Sequence, residues 1–166
     1  MLNQSMLTGK EWDAWRSFFT MRRQLDHALS ARLQRESAVS IAEYEVLLAL
    51  HDDPEPNVRI KDISARTGWE KSRVSHQVTR LARRGLVTRA DGGTDGRGSW
   101  ITLTGTGRRA IDDAIETHTQ AIRQYFFDAL GDRDAELIRS LSERVLTAIQ
   151  VATPSHATQQ SRRVKQ

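Results

Sequence analysis

The chain has no cysteine, which removes disulfides, thiolate metal sites and thiol redox sensing together. Proline and glycine are sparse, three and ten in 166 residues, and long stretches with neither favour helices. No apolar run approaches the ~20 residues of a membrane span. The start, MLNQSMLTGKEW, lacks the apolar core of a secretory signal. The expected location is the cytoplasm. A chain of this length is about one domain, or one domain with an appended bundle. Gly-rich phosphate loops, nucleophile elbows and metal-binding His pairs are also missing. Asp112, Asp113 and Glu116 could form a carboxylate cluster on a helix, but a solvated face is the simpler reading. An enzyme is therefore not expected, and neither is a cofactor or a metal.

What is present is positive charge, and it is concentrated. Val58 to Arg109 holds twelve Lys/Arg against four Asp/Glu, a local +8 within a chain of +4, so the remainder sums to −4. A basic module in a mildly acidic body is the electrostatic footprint of a polyanion binder.

Capping boxes at Thr8/Glu11 and Ser40/Glu43 mark two helix starts. After the first, Trp15, Phe18, Leu25, Leu29 and Leu33 fall on one stripe, which Trp12 and Phe19 widen. The second opens a short helix carrying Tyr44, Leu47, Leu48 and Leu50, and 52–57 breaks it. Ile60 to Arg66 then reads as a helix, Thr67-Gly68 as a turn, and roughly Glu70 to Arg84 as a second helix capped by Gly85. Leu86 to Arg89 and Ser99 to Leu103 alternate like strands, with 91–98 as a Gly-rich hairpin tip. From Thr104 another long helix carries Ile111, Ile115, His118, Ile122 and Tyr125, a stripe that Phe126 and Leu130 continue. Gly131-Asp132 ends it and caps the last helix, striped by Ile138, Leu141, Val145 and Ile149. The segment 153–166 is polar, basic and aperiodic, and reads as a disordered tail.

Helix, turn, helix and hairpin in this order are what a winged helix-turn-helix needs to enter DNA. The predicted fold class is mainly α with a small two- or three-stranded β wing. If Val74, Val78 and Leu81 face the core, then at about 100° per residue the opposite face carries Ser72, His76, Thr79, Arg80 and Arg83, flanked by Arg73, Ser75 and Gln77. Arg, His and Gln can reach base edges in the major groove. Lys71, Ser72, Ser75, Thr79 and Arg80 can bond phosphates. On the wing, Arg97 is long enough for a minor groove, and Asp95 could hold its guanidinium; an ordinary surface ion pair is the plainer alternative. The expected DNA contacts are thus Lys71, Ser72, Arg73, Ser75, His76, Gln77, Thr79, Arg80, Asp95 and Arg97.

The stretch IKDISARTGWEKSRVSHQVTRLARRGLVTRADGGTDGRGSWITLTGTGRRAI resembles the MarR family of bacterial transcription regulators. That family's wing, Asp-x-Arg followed by a strand and Leu-Thr-x-x-Gly, is matched by Asp95, Arg97, Leu103, Thr104 and Gly107. Gly92-Gly93-Thr94 departs from the commoner, more charged wing. The resemblance spans roughly Leu25 to Ile149 and is specific over Ile60 to Gly107. It implies a homodimer through the N-terminal and last two helices, base reading by His76 and minor-groove insertion by Arg97.

It further implies a small aromatic or anionic ligand where the dimerisation helices meet the DNA-binding lobe. The candidate lining is Trp15, Phe19, Arg22, Tyr44, His51, His118 and Ile122, though Trp15, Phe19 and Tyr44 also suit plain core and His118 a satisfied interface. The scattered His27, His51 and His118 lack the spacing of a zinc site. The expected organisation is 8–36 and 104–150 for dimerisation, 40–103 for DNA binding and 153–166 as tail. The expected function is a sequence-specific regulator, a repressor acting as a homodimer on a pseudo-palindrome and released by a small ligand. The alternative is a non-specific architectural DNA-binding protein.

Overall fold

A computed structural model describes residues 7–91, 99–131 and 133–152; of Asp91 it describes only the backbone. The helices are α1 (Gly9–Ser37), α2 (Ile41–His51), α3 (Ile60–Thr67), α4 (Lys71–Arg83), α5 (Gly105–Tyr125) and α6 (Asp134–Ala152). The strands are β1 (Val58–Arg59), β2 (Val87–Asp91) and β3 (Ser99–Leu103), paired antiparallel in the order β1-β3-β2. The chain divides into two units that meet between Phe126 and Phe127. No helix among the described residues is long and apolar enough to cross a membrane.

Both capping boxes form. The Thr8 and Ser40 hydroxyls accept from the N–H of Glu11 and Glu43, whose carboxylates accept back from the cap N–H groups. Between α1 and α2, Ala38 stands in the left-handed region at φ 53°, a conformation costing a non-glycine residue about 1 kcal/mol. Gly68 (φ 69°) ends α3, and Gly85 (φ 70°) follows α4. At these two turns a positive φ favours a residue without a Cβ.

In the first unit the core gathers Leu33 of α1, Leu47 of α2, Ile63 of α3, Leu81 of α4, Ile101 of β3 and Ile111 of α5, all fully buried. Each element thus contributes its inward stripe to one winged-helix core. β1 is a two-residue strand that the alternation reading does not mark; it pairs Val58 with Ile101 and Arg59 with Trp100. In the second unit, α6 follows a short 3-10 turn at Phe127–Ala129, and the Asp134 carboxylate accepts from the N–H of Gly131. The expected helix through Phe126 and Leu130 is thereby corrected. α5 ends at Tyr125, because a switch to 3-10 geometry leaves apolar spacing almost unchanged and so escapes a periodicity reading.

Candidate nucleic-acid interface

α4 is anchored from one side. Val74, Val78 and Leu81 are each 0 % exposed, fixing the helix about its own axis. Its sequence, KSRVSHQVTRLAR, has no acidic residue. Lys71, Ser72, Arg73, His76 and Arg80 are exposed, whereas Ser75, Gln77 and Thr79 are half-buried. Among the described residues no side chain caps the first turn, so its N–H groups are not taken there by a carboxylate or hydroxyl.

The eight expected contacts on α4 therefore separate. Five stand on the open face. Thr79 donates its hydroxyl hydrogen to the Ser75 carbonyl at 2.9 Å, and so has no proton left to give a phosphate. The Gln77 Oε1 is buried without a partner among the described residues, which turns that end of the amide away from solvent. Asp95 and Arg97 lie outside the described residues, as does the tail 153–166.

The surrounding arginines do different work. Arg84, although exposed, is committed within the chain. It pairs with Glu43 of α2 at 3.0 Å and donates to the Ala38 carbonyl at 3.0 Å. Glu43 is only 3 % exposed. Burial pushes its carboxyl up, but the Ser40 N–H, the Ser40 hydroxyl and Arg84 outweigh burial and hold it below its usual range. One carboxylate thus ties the start of α2 to the end of α4, and the same arginine props the strained Ala38 turn. Arg89 donates to the Ser99 hydroxyl across the hairpin at 2.8 Å, and the Arg59 guanidinium sits 4.3 Å from the Trp100 ring.

The fold and this basic helix have recognisable relatives. The sequence profile of the MarR family matches residues 39–98. Sco3205, a MarR family transcriptional regulator from Streptomyces coelicolor solved in complex with DNA, is 28 % identical over 90 % of this chain and 94 % of its own, with a TM-score of 0.79. Over residues 39–98 and in its fold, the chain is similar to MarR family transcriptional regulators. AbsC, a MarR family regulator from the same organism, is likewise 28 % identical, over 89 % of this chain and 99 % of that one, with a TM-score of 0.78. PcaV, also from Streptomyces coelicolor, is 25 % identical over 79 % and 96 %, at a TM-score of 0.66. A search of curated proteins finds no match to the sequence.

The Leu-Thr-x-x-Gly pattern of this chain has a local physical reason. Thr104 caps α5 by accepting from the Gly107 N–H at 2.9 Å, and its own hydroxyl donates to the Gly85 carbonyl at 2.7 Å. The Thr104 N–H donates to the Leu86 carbonyl at 3.1 Å. A Cβ on Gly107 would lie 1.8 Å from that same carbonyl oxygen. Glycine is required there for space, not for its backbone angle.

The seven expected ligand-lining residues fall into three places. Tyr44 and His118 form a ring pair, with centroids 4.8 Å apart, where α2 meets α5. The His118 Nδ1 is buried without a partner among the described residues, and burial lowers the pKa of the ring. Half-buried Ile122 follows one turn later on α5. Trp15 and Phe19 stack with centroids 6.3 Å apart on an exposed stretch of α1, with Arg22 over Phe19 at 5.6 Å. His51 faces two carboxylates, Asp52 at 2.9 Å and Asp112 at 3.3 Å. None of the seven lines either of two surface cavities, one of about 390 Å³ bounded by Glu45, Leu48, Ala49, Asp52, Arg66 and Thr67, the other of about 440 Å³ beside Arg23, Gln24 and His27.

Two participants escaped sequence reasoning. Glu43 was legible as a cap but not as the partner of Arg84, because that pairing depends on tertiary approach. Trp69 stacks under Arg73 at 3.6 Å. The four-residue interval between them was the available signal.

Proposed function

We propose that this chain is a MarR-family regulator that binds DNA sequence-specifically as a homodimer on a pseudo-palindromic operator, represses by occupying it, and is released by a small ligand. The observation that carries the reading is α4: a helix pinned by three fully buried residues that presents Lys71, Ser72, Arg73, His76 and Arg80 outward with no acid among them. A similar chain, Sco3205, was solved on DNA. In such a helix Arg73 and His76 suit base edges, and Lys71, Ser72 and Arg80 suit phosphates. Arg97, two residues before β3, is assigned to a minor groove. Ser75, Asp95 and the amide nitrogen of Gln77 are supporting contacts, while Thr79, its hydroxyl bonded to the Ser75 carbonyl, serves the helix itself.

The homodimer rests on apolar surface. Trp12, Trp15, Phe18, Phe19 and Met21 of α1 and Leu137, Leu141, Val145, Leu146 and Ile149 of α6 are all exposed in the single chain, more than a soluble monomer ordinarily leaves in water. A two-fold dimer would set two recognition helices about 34 Å apart. The ligand is assigned to the Tyr44–His118 pair, the one place where two of the expected lining rings meet with a buried, unpartnered nitrogen beside them.

Selection of bound duplexes from a random pool tests the reading. A regulator enriches a pseudo-palindrome and prefers it over random duplex by about 10³-fold or more. No enrichment, with all duplexes bound alike, would leave a non-specific architectural role instead. His76→Ala and Arg97→Ala should each weaken the selected duplex, and a screen of small aromatic acids for its release tests the ligand.

A further inference from the structure

Trp69 lies in the turn just ahead of α4. Its indole is half-buried against the edge of the core. Its backbone is held on both sides: the N–H donates to the Thr67 hydroxyl at 3.3 Å, and the carbonyl accepts from the Ser64 hydroxyl. The ring is therefore a fixed platform. Arg73, four residues on, sets its guanidinium carbon 3.6 Å from the ring centroid, at stacking distance. Among the described residues Arg73 donates no hydrogen bond and joins no ion pair. The acidic side chain nearest in effect is half-buried Glu45 of α2, whose carboxyl burial pushes up and the Arg73 charge pulls partly back.

A stacked guanidinium has one flat face covered and its N–H edge unoccupied. The stack also biases its rotamers before any partner arrives, so less is lost on binding. Arg73 is the third residue of α4, in the turn of a recognition helix that meets base edges. A planar fork with two parallel donors matches the O6 and N7 of guanine in the major groove, which no other base presents as two adjacent acceptors.

We propose that Trp69 is a positioning residue that holds the Arg73 fork edge-on to a guanine in each half-site. This deepens the DNA-reading role of α4 and rests on it. The alternative, Arg73 on a phosphate, is an outcome of the test.

The experiment uses the full chain, the duplex it selects from a random pool, and every single-base-pair variant of that duplex, with affinities read by fluorescence anisotropy. Trp69→Leu and Arg73→Ala should each lower affinity for the selected duplex by about tenfold. Both should lose discrimination at the same base pair, a guanine. The double variant should fall no further than Arg73→Ala alone, since the two act as one unit. Arg73→Lys, which keeps the charge and loses the fork, should lose the same discrimination. Trp69→Phe, which keeps a flat ring, should restore part of it.

Equal weakening on every duplex by Trp69→Leu overturns the proposal, as does unchanged base preference. Retained discrimination in Arg73→Lys places Arg73 on phosphate and overturns it too. Should Trp69→Leu fail to fold, Trp69→Phe decides: a loss confined to that guanine supports the platform, and an even loss, or none, refutes it. If the wild-type chain selects no sequence, the DNA-reading role fails and the platform with it. If it selects one and the Trp69 variants read it unchanged, only the platform fails.

Discussion

In α4 every apolar residue but Ala82 is wholly buried, whereas in α6 no residue is more than half-buried. α1, twenty-nine residues long, buries only Leu33. Trp15 stands 53 % exposed and Val145 58 %. The difference is not one of composition, since both long helices carry more large apolar side chains than α4 does. It lies in where the second surface comes from. The apolar stripe of α4 is satisfied by its own chain, which frees the opposite, charged face for an external partner. The stripes of α1 and α6 are left unsatisfied, so the hydrophobic effect favours any second surface that covers them.

The contrast can be broken from inside the self-satisfied region, where the largest effect is expected. Gly107→Ala forces a Cβ onto the Leu86 carbonyl and should cost about 3 kcal/mol in urea unfolding. Gly85→Ala meets no atom within 4 Å and should cost only about 1 kcal/mol, for its left-handed backbone. Equal costs would show that the α5 start is not packed as described. Next comes the tie between α2 and α4. Arg84→Ala strands the buried Glu43 carboxylate with Ser40 alone, and should cost roughly 2 kcal/mol. A change no larger than that of a neutral surface site would demote the tie to an incidental contact.

The other side of the contrast is tested in α1. Trp15→Ser with Phe18→Ser should weaken self-association more than about tenfold, measured by sedimentation, while the far-ultraviolet circular dichroism of the winged-helix region is retained. Wild-type protein sedimenting as a monomer at micromolar concentration would contradict the idea that these faces are covered. On the charged face of α4, Lys71→Ala or Arg80→Ala should each lower the salt slope of DNA binding by about 0.9.

The smallest effect concerns pH. Burial lowers the pKa of His118 below its ordinary 6.5, so the unfolded chain binds the proton more readily than the folded one. Stability is then full above about pH 6.5 and declines as pH falls toward the folded-state value. Thermal midpoints between pH 8 and 5 should show that decline in wild type and less of it in His118→Phe. The Glu43 carboxyl, held low, gives a separate loss in a lower window, as pH falls from its ordinary 4.5 through the folded value.

Much of this was legible in the sequence because it is local. Thr8/Glu11 and Ser40/Glu43 state their own helix starts, Gly85 marks a left-handed turn, and Val74, Val78 and Leu81 fix the inward face of α4 by spacing alone. What was not legible depends on approach in space. β1 is two residues long and has no alternation to display. Thr79 sits at a helix position that looks outward, yet its hydroxyl is taken by the backbone one turn back. Glu43 and Arg84 are far apart in sequence, and only the packing of α2 against α4 makes them a pair. The seven ligand-lining candidates share helical spacing, and in the single chain they fall in three places, because periodicity reports which face a residue occupies and nothing about depth.

The Leu86 carbonyl is touched from two directions. It accepts from the Thr104 N–H and lies where a side chain on Gly107 would have been. The C-terminal end of α4 and the first turn of α5 therefore meet with no gap between them. Mechanically this is a keyed coupling and not a hinge: α5 cannot roll or slide at this end without carrying the Leu86 peptide with it. Since the Leu86 N–H is itself bonded to the Leu81 carbonyl at 3.0 Å, such a displacement is handed directly to the last turn of α4.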